Sequence, residues 1–240
     1  MTDHEPIADV TRQCLLRVST ATLSSQLLKR GFRQLVPRDV RPLRPDLRLV
    51  GQAYTLRYLP AREDVERGDY DNLTNKQRLA VEAISPGEVL VIDARGNTLA
   101  GTLGNILATR IKMRGAAGIV TDGAFRDTPG VRAIDLPTYA AGAHPNVSST
   151  VHYPADLNVP IACGGVTVFP GDVIVGDAEA VIVIPRAIAD DVARDALEQE
   201  EREAYILWRI QRGDSIVGVY PPNEHALAAY EAWRRTAREG

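Results

Sequence analysis

Gly101-Thr102-Leu103-Gly104-Asn105-Ile106-Leu107-Ala108-Thr109-Arg110-Ile111-Lys112-Met113-Arg114-Gly115-Ala116-Ala117-Gly118-Ile119-Val120-Thr121-Asp122-Gly123-Ala124-Phe125-Arg126-Asp127 is the stretch from which the rest of the chain is read. It opens with a glycine-marked turn over 101–105. A helix is predicted over 106–114, ended by Gly115. An apolar strand is predicted over 117–120, running into a polar cluster at 121–127. The first turn of a helix carries unpaired backbone N–H groups at the positive end of its dipole, which suits an anion. Arg126 and Asp127 follow the C-terminal end of a strand, where open α/β sheets place their ligands. One segment thus offers an anion cradle, a cation and a carboxylate.

Upstream, 1–16 reads as a polar lead-in. A helix capped by Ser19, Thr20 or Thr22 carries Leu23, Leu27 and Leu28 and ends at Gly31. Three prolines and many arginines mark 36–48 as an extended crossing segment. A strand over 49–59, a charged loop over 60–74, a short helix over 75–84 and a buried strand over 88–93 follow. Downstream, a strand is predicted over 136–140, a polar loop over 144–156 and short strands over 159–162 and 166–169. A hairpin over 173–184 leads into a long charged helix over 187–212 and a last helix over 224–238. No linker divides the chain, so it reads as one domain over 1–240, with a core of about 18–213 and a helical tail over 214–240. The order of elements predicts an α/β fold with a mixed sheet and a helical C-terminal arm.

The chain has 240 residues, 45% of them hydrophobic and 25% charged, as in ordinary globular proteins. A net charge of −3 argues against a dedicated nucleic-acid binder. No apolar run approaches membrane-spanning length. Cys14 and Cys163 form no paired motif, and the residues after Met1 are polar, so the cytoplasm is the expected location.

Asp127 suits Mg²⁺, which uses one or two carboxylates and keeps its waters, and Arg126 suits a developing oxyanion. Gly101 and Gly104 suit a small carboxylate, since neither dinucleotide-binding nor phosphate-loop spacing is present. The four histidines lack metal spacing, and Cys163 reads as a small core residue. Lys29, Lys76 and Lys112 are the only lysines, and all three read as solvated, whereas an imine route needs a buried one. A carbon–carbon lyase built on this chain would therefore favour a metal route.

The runs 103–109 and 114–127 resemble the signature of the RraA-like family, which holds the 4-hydroxy-4-methyl-2-oxoglutarate / 4-carboxy-4-hydroxy-2-oxoadipate aldolases and the "regulator of ribonuclease activity" proteins. Further likeness lies in Ser19-Thr20-Ala21-Thr22-Leu23-Ser24, Gly164-Gly165-Val166-Thr167-Val168 and Pro170-Gly171-Asp172-Val173-Ile174-Val175-Gly176-Asp177. The resemblance covers about 18–213. It implies a swivelling β/β/α fold, trimers or dimers of trimers with active sites near subunit interfaces, and a divalent metal, Mg²⁺ before Mn²⁺. It implies cleavage of a 4-hydroxy-2-oxo acid to pyruvate through a metal-stabilised enolate, and decarboxylation of oxaloacetate. On this pattern Asp127 holds the metal, Arg126 stabilises the enolate, and the backbone after Gly104, at Asn105, Ile106 and Leu107, holds the pyruvate carboxylate. Asn105 stands where many family aldolases have Asp or Glu. Glu200 and Glu203 are both candidates for an acidic residue reaching a neighbouring site. The chain resembles the longer regulator subgroup, and the alternative function is a non-catalytic regulator of ribonuclease activity.

Two expectations complete the reading. Substrate choice lies in loops such as 60–74 and 144–156. Tyr205, Ile206, Trp208 and Ile210 give the long helix an apolar surface for contacts between subunits.

Overall fold

The structure, a computed structural model, describes residues 5–65 and 71–239. His4 and the part of the 60–74 loop at 66–70 lie outside the described residues.

At the centre run four parallel neighbours: β2 (Leu49–Pro60), β3 (Glu88–Asp93), β4 (Gly118–Phe125) and β5 (Thr138–Ala143). The short β1 (Arg41–Pro42) extends the β5 edge, and the hairpin of β9 (Val173–Gly176) and β10 (Val181–Ile184) extends the β2 edge, all antiparallel. β6 (His152–Leu157) pairs with the far end of β2, and β7 (Ile161–Cys163) with β8 (Val166–Val168) forms a separate hairpin.

Side chains alternate across a strand, so β3 serves two cores. Leu90 and Ile92 face the helices α3 (Lys76–Ala83) and α4 (Asn105–Met113), packing with Ala80, Ile84, Ala108 and Ile111. Val89 and Val91 face the β7–β8 hairpin and its buried Ile161, Cys163, Val166 and Val168. Cys163 is a core residue, as expected, and burial holds its thiol well above its ordinary pKa. A third core joins α1 (Asp9–Arg17), α2 (Thr20–Lys29) and α6 (Ala189–Ile210) to β9 and β10.

Three predicted spans are corrected. The polar lead-in contains α1, which buries only Thr11 and Leu15 and so carries little apolar signal. The loop over 144–156 contains β6, whose His152 is fully buried and stacked on Tyr58 at 5.1 Å. Burial, then the nearby Arg95 charge, pushes the His152 pKa down to about 4. The cluster after Val120 remains strand as far as Phe125 because its polar groups find partners. Asp122 accepts from the backbone N–H groups of Ala94 at 2.6 Å, Gly96 at 2.9 Å and Gly164 at 3.1 Å. Burial still raises its pKa, with the Asp93 charge adding to the shift.

Two runs that carried the family likeness meet in one joint. Ser19 caps α2, accepting from the Thr22 N–H at 3.1 Å, and its own N–H and hydroxyl donate to Glu200 at 2.8 and 2.6 Å. Thr20 donates its N–H and hydroxyl to Asp177 at 2.7 and 2.9 Å. Glu200 therefore holds its own chain together. Glu203 accepts from Gln199 at 2.9 Å. Part of the apolar surface expected on α6 is covered from within the chain by α7 (Glu224–Glu239): Tyr205 lies 5.6 Å from Tyr230 and 5.0 Å from Trp233, ring centre to ring centre. Leu207 and Trp208 stay exposed.

Burial opposes ionisation of Asp177, but the hydrogen bonds from Thr20, Glu179 and Ala180 outweigh it and the net pKa shift is downward. A lowered carboxylate stabilises the fold fully above its unfolded value of 3.8, and the contribution fades as pH falls through the folded value. Asp177→Ala is expected to cost about 3 kcal/mol at pH 7. Urea unfolding checks this, with wild type and variant converging in strong acid.

Candidate active site

The cleft of interest lies past the C-terminal end of β4, where Arg126 and Asp127 leave the strand. Its opposite wall is the turn 101–104, docked on β4 by a parallel bridge from Gly101 to Ala124 and by the Thr102 N–H donating to the Ala124 carbonyl at 2.7 Å. The Arg126 N–H donates to the Leu103 carbonyl at 3.1 Å. The approach is close at both glycines, against backbone at Gly101 and against a side-chain end at Gly104. A Cβ on Gly101 would lie 2.6 Å from the Arg126 nitrogen, and one on Gly104 would lie 2.5 Å from Asp127 Oδ2.

Gly104 is the N-cap of α4 and brings no side chain to its first-turn amides. The first backbone bond of the helix runs from the Ala108 N–H to the Gly104 carbonyl at 3.1 Å. The N–H groups of Asn105, Ile106 and Leu107 thus head the helix without a side-chain cap, at the positive end of its dipole. The helix begins at Asn105, one residue before the predicted start.

Asp127 is left-handed at φ 53°, a conformation that costs a non-glycine residue of order 1–3 kcal/mol. It is the N-cap of the short α5 (Thr128–Arg132), which the sequence reading missed, yet its side chain makes no cap bond. Instead the carboxylate faces the Arg126 guanidinium, Oδ2 to Nε 3.4 Å, with both side chains partly open to solvent. The side chain of Asn105 lies over Gly130 of α5, where a Cβ would sit 2.8 Å from Nδ2.

Gly101, Leu103, Gly104, Asn105, Ile106, Leu107, Arg126 and Asp127 line a single cleft of about 370 Å³. All the residues chosen from the sequence for the site are therefore together. Four more line it: Gln77 and Arg78 from α3, and Val147 and Ser148 from the loop before β6. No spacing marks the first two, which precede the turn by more than 20 residues and enter through helix packing. Val147 and Ser148 fall within the loop already expected to select substrates.

Among the described residues no group of three or more His, Cys, Asp or Glu side chains is placed to hold a metal. Asp127 is the single carboxylate among the described residues lining the cleft. That donor set does not fit a zinc cage, which needs several His or Cys ligands. It fits Mg²⁺, which binds through one or two carboxylates and keeps sites for water or substrate. None of the three lysines is buried, so the cleft offers no desolvated amine for an imine.

The fold and cleft define a mixed α/β protein with an anion-binding helix terminus facing an Arg-Asp pair. The family described as RraA-like, Aldolase/RraA, matches residues 20–183, and the chain belongs to it. A Halalkalibacterium halodurans protein provisionally named 4-hydroxy-4-methyl-2-oxoglutarate aldolase is 35% identical over 161 residues, 67% of this chain and 71% of that protein. The crystal structure of Streptomyces coelicolor RraAS2, described as an unusual member of the RNase ES inhibitor RraA protein family, aligns with TM-score 0.74 and 33% identity, over 84% of this chain and 97% of that one. An uncharacterised Pseudomonas syringae protein shares the fold, with TM-score 0.78 at 24% identity over 90% of this chain and 100% of that one. The swivelling β/β/α fold expected from the sequence is the fold observed. No helix among the described residues is long and apolar enough to cross a membrane.

The two glycines set a direct test. Gly104→Ala is expected to displace Asp127 from the helix terminus, weakening binding of oxalate, a small planar dianion, by about tenfold or more, since overpacking typically costs 1–3 kcal/mol. Isothermal titration with and without Mg²⁺ measures it.

Proposed function

We propose that the chain is a divalent-metal-dependent carbon–carbon lyase that releases pyruvate from a 4-hydroxy-2-oxo acid and also decarboxylates oxaloacetate. The observation that carries this reading is the meeting of the uncapped α4 terminus with Arg126 and Asp127 in one cleft. The name given to the Halalkalibacterium halodurans relative supports it.

The 1-carboxylate of the substrate sits on the amides at the head of α4. This fixes the neighbouring C2 carbonyl between Arg126 and Asp127. In cleavage the C4 hydroxyl passes its proton to solvent water and becomes a carbonyl as the C3–C4 bond breaks. The electron pair of that bond moves through C3 to the C2 oxygen. Arg126 answers the charge that develops there with a planar fork of donors that a lysine does not reproduce. Asp127 would hold a Mg²⁺, which when bound would supply Lewis-acid stabilisation of that charge. Protonation at C3 then gives pyruvate, and C4 leaves as the second carbonyl product.

Asn105 cannot ionise, so proton transfer here differs from that of family members with Asp or Glu at the position. We further propose a homo-oligomer, trimer or dimer of trimers, in which the exposed Leu207 and Trp208 face a neighbouring subunit. The description of RraAS2 supports a second reading, a regulator that acts by binding a ribonuclease. Such a protein has no need of metal.

A coupled pyruvate assay over a panel of 2-oxo acids, with and without EDTA, separates the two. Asp127→Ala is expected to abolish turnover supported by Mg²⁺. Arg126→Lys is expected to lower kcat about a hundredfold, the scale for one oxyanion donor. Near-normal turnover in Asp127→Ala would overturn the assignment.

A further inference from the structure

Cleavage takes a proton from the C4 hydroxyl, and the cleft offers no side chain free to keep it. Among the described residues that line it none is His, Cys or Lys, Asp127 carries the single carboxylate, and the guanidiniums of Arg78 and Arg126 cannot accept a proton. With Asp127 given to the metal, water takes the proton, and that water must be aimed. Gln77, on α3, is placed to do so. Its side chain is buried, with 5% of the residue exposed, and its amide nitrogen donates to the Thr102 carbonyl at 2.5 Å and to the Tyr58 hydroxyl at 2.9 Å. A carbonyl only accepts, so the nitrogen end of the amide is fixed there with both hydrogens committed. Tyr58 donates to the same Thr102 carbonyl at 3.1 Å, and Asn75 caps α3 by accepting from the Gln77 N–H at 3.0 Å. What remains is Oε1, a pure acceptor. It takes no hydrogen bond among the described residues, and it is not one of the polar atoms sealed inside without a partner. It therefore borders open space, and the space that Gln77 lines is the cleft.

We propose that Gln77 is a positioning residue for the cleavage step: its Oε1 accepts from the water that receives the C4 hydroxyl proton. This rests on the lyase reading. A water that donates one hydrogen to a fixed acceptor turns a lone pair away from it, toward the substrate hydroxyl. The proton leaves the C4 oxygen for that water as the electron pair of the C3–C4 bond moves to the C2 oxygen, and it passes on to bulk solvent. Gln77 keeps its own hydrogens throughout. The other neutral polar side chains of the cleft are less suited. The Ser148 hydroxyl stands on a loop and rotates, and the Asn105 amide makes no hydrogen bond among the described residues that fixes which end faces the cleft. Loss of CO₂ from oxaloacetate sends its electron pair to the same C2 oxygen but removes no hydroxyl proton. Gln77 Oε1 thus serves one of the two reactions and not the other.

The test measures two kcat values on each preparation: pyruvate release from 4-hydroxy-4-methyl-2-oxoglutarate, and decarboxylation of oxaloacetate with the rate lacking enzyme subtracted. Gln77→Met removes the acceptor at similar bulk. It is expected to lower kcat for cleavage relative to decarboxylation by about tenfold, the upper end for one neutral hydrogen bond, with KM little changed. Gln77→Glu, whose neutral form keeps an acceptor oxygen and one donor for the Thr102 carbonyl, is expected to restore part of the ratio. Tyr58→Phe loosens the same turn but leaves Oε1 in place, and is expected to keep the wild-type ratio. In a partly folded preparation both rates fall together, so the ratio reads the water and not the fold. If Gln77→Met does not fold, Gln77→Asn, which draws the oxygen back by one carbon, gives the same reading. Cleavage and decarboxylation falling by the same factor in these variants, or an unchanged ratio, would overturn the inference and leave the lyase reading standing. A wild type that decarboxylates oxaloacetate but does not cleave the hydroxy acid would overturn it too. Pyruvate from neither compound would remove the lyase reading, and this inference with it.

Discussion

Gly101 lies closer to the backbone of Arg126 than any side chain would permit, and Gly104 lies against the carboxylate of Asp127. A Cβ on Gly101 would overlap the backbone nitrogen of Arg126, and one on Gly104 would overlap the carboxylate of Asp127. This contact sets the width of the cleft and brings the head of α4 against the end of β4. Asp127 itself is left-handed, and its carboxylate makes no cap bond to α5. Removing a methyl group's worth of volume at two positions thus creates a site with an anion cradle on one wall and a cation–carboxylate pair on the other.

The rest of the fold keeps those walls in register. β4 can carry Thr121 and Asp122 through the interior because buried polar groups are tolerated where they are hydrogen-bonded. Asp122 gathers three backbone N–H groups from two separate loops, and Asp93 accepts from Arg95 at 2.9 Å and Ala162 at 3.2 Å. These bonds fasten the β7–β8 hairpin and the loop after β3 to the ends of the central strands. On the other face Gln77 and Tyr58 secure the Thr102 carbonyl behind the glycine turn. Far from the cleft, Asp177 and Glu200 lock the head of α2 against β9 and α6.

Most of the cleft was legible because its parts are contiguous in sequence. Glycines before a helix and an Arg-Asp after a strand carry meaning through local backbone geometry alone, and the structure brings Gly104, Asn105, Ile106, Leu107, Arg126 and Asp127 together as that geometry requires. Gln77 and Arg78 were illegible because they arrive through the packing of α3 on α4, which leaves no mark in spacing. The strand over 121–125 was hidden because it opens with two adjacent polar residues, Thr121 and Asp122, followed by Gly123 and Ala124, and only tertiary partners keep the polar pair inside. α1 and β6 were missed for a related reason: each buries few apolar side chains, and His152 is buried by stacking on Tyr58 and not by its own hydrophobicity. The helical C-terminal arm was read correctly as helix, but the partner covering Tyr205, α7 of the same chain, was not.

The central claim is that the head of α4, Arg126 and Asp127 act on one small oxo acid together with one divalent cation. A crystal structure of the protein grown with Mg²⁺ and oxalate, a mimic of the pyruvate that carries charge at C2, tests it most directly. The expected result is one oxalate carboxylate on the amides of Asn105, Ile106 and Leu107, with Mg²⁺ between the oxalate and Asp127 and Arg126 against the remaining oxygens. Oxalate and Mg²⁺ bound elsewhere, with the cleft between Gly104 and Asp127 holding neither, would contradict the account.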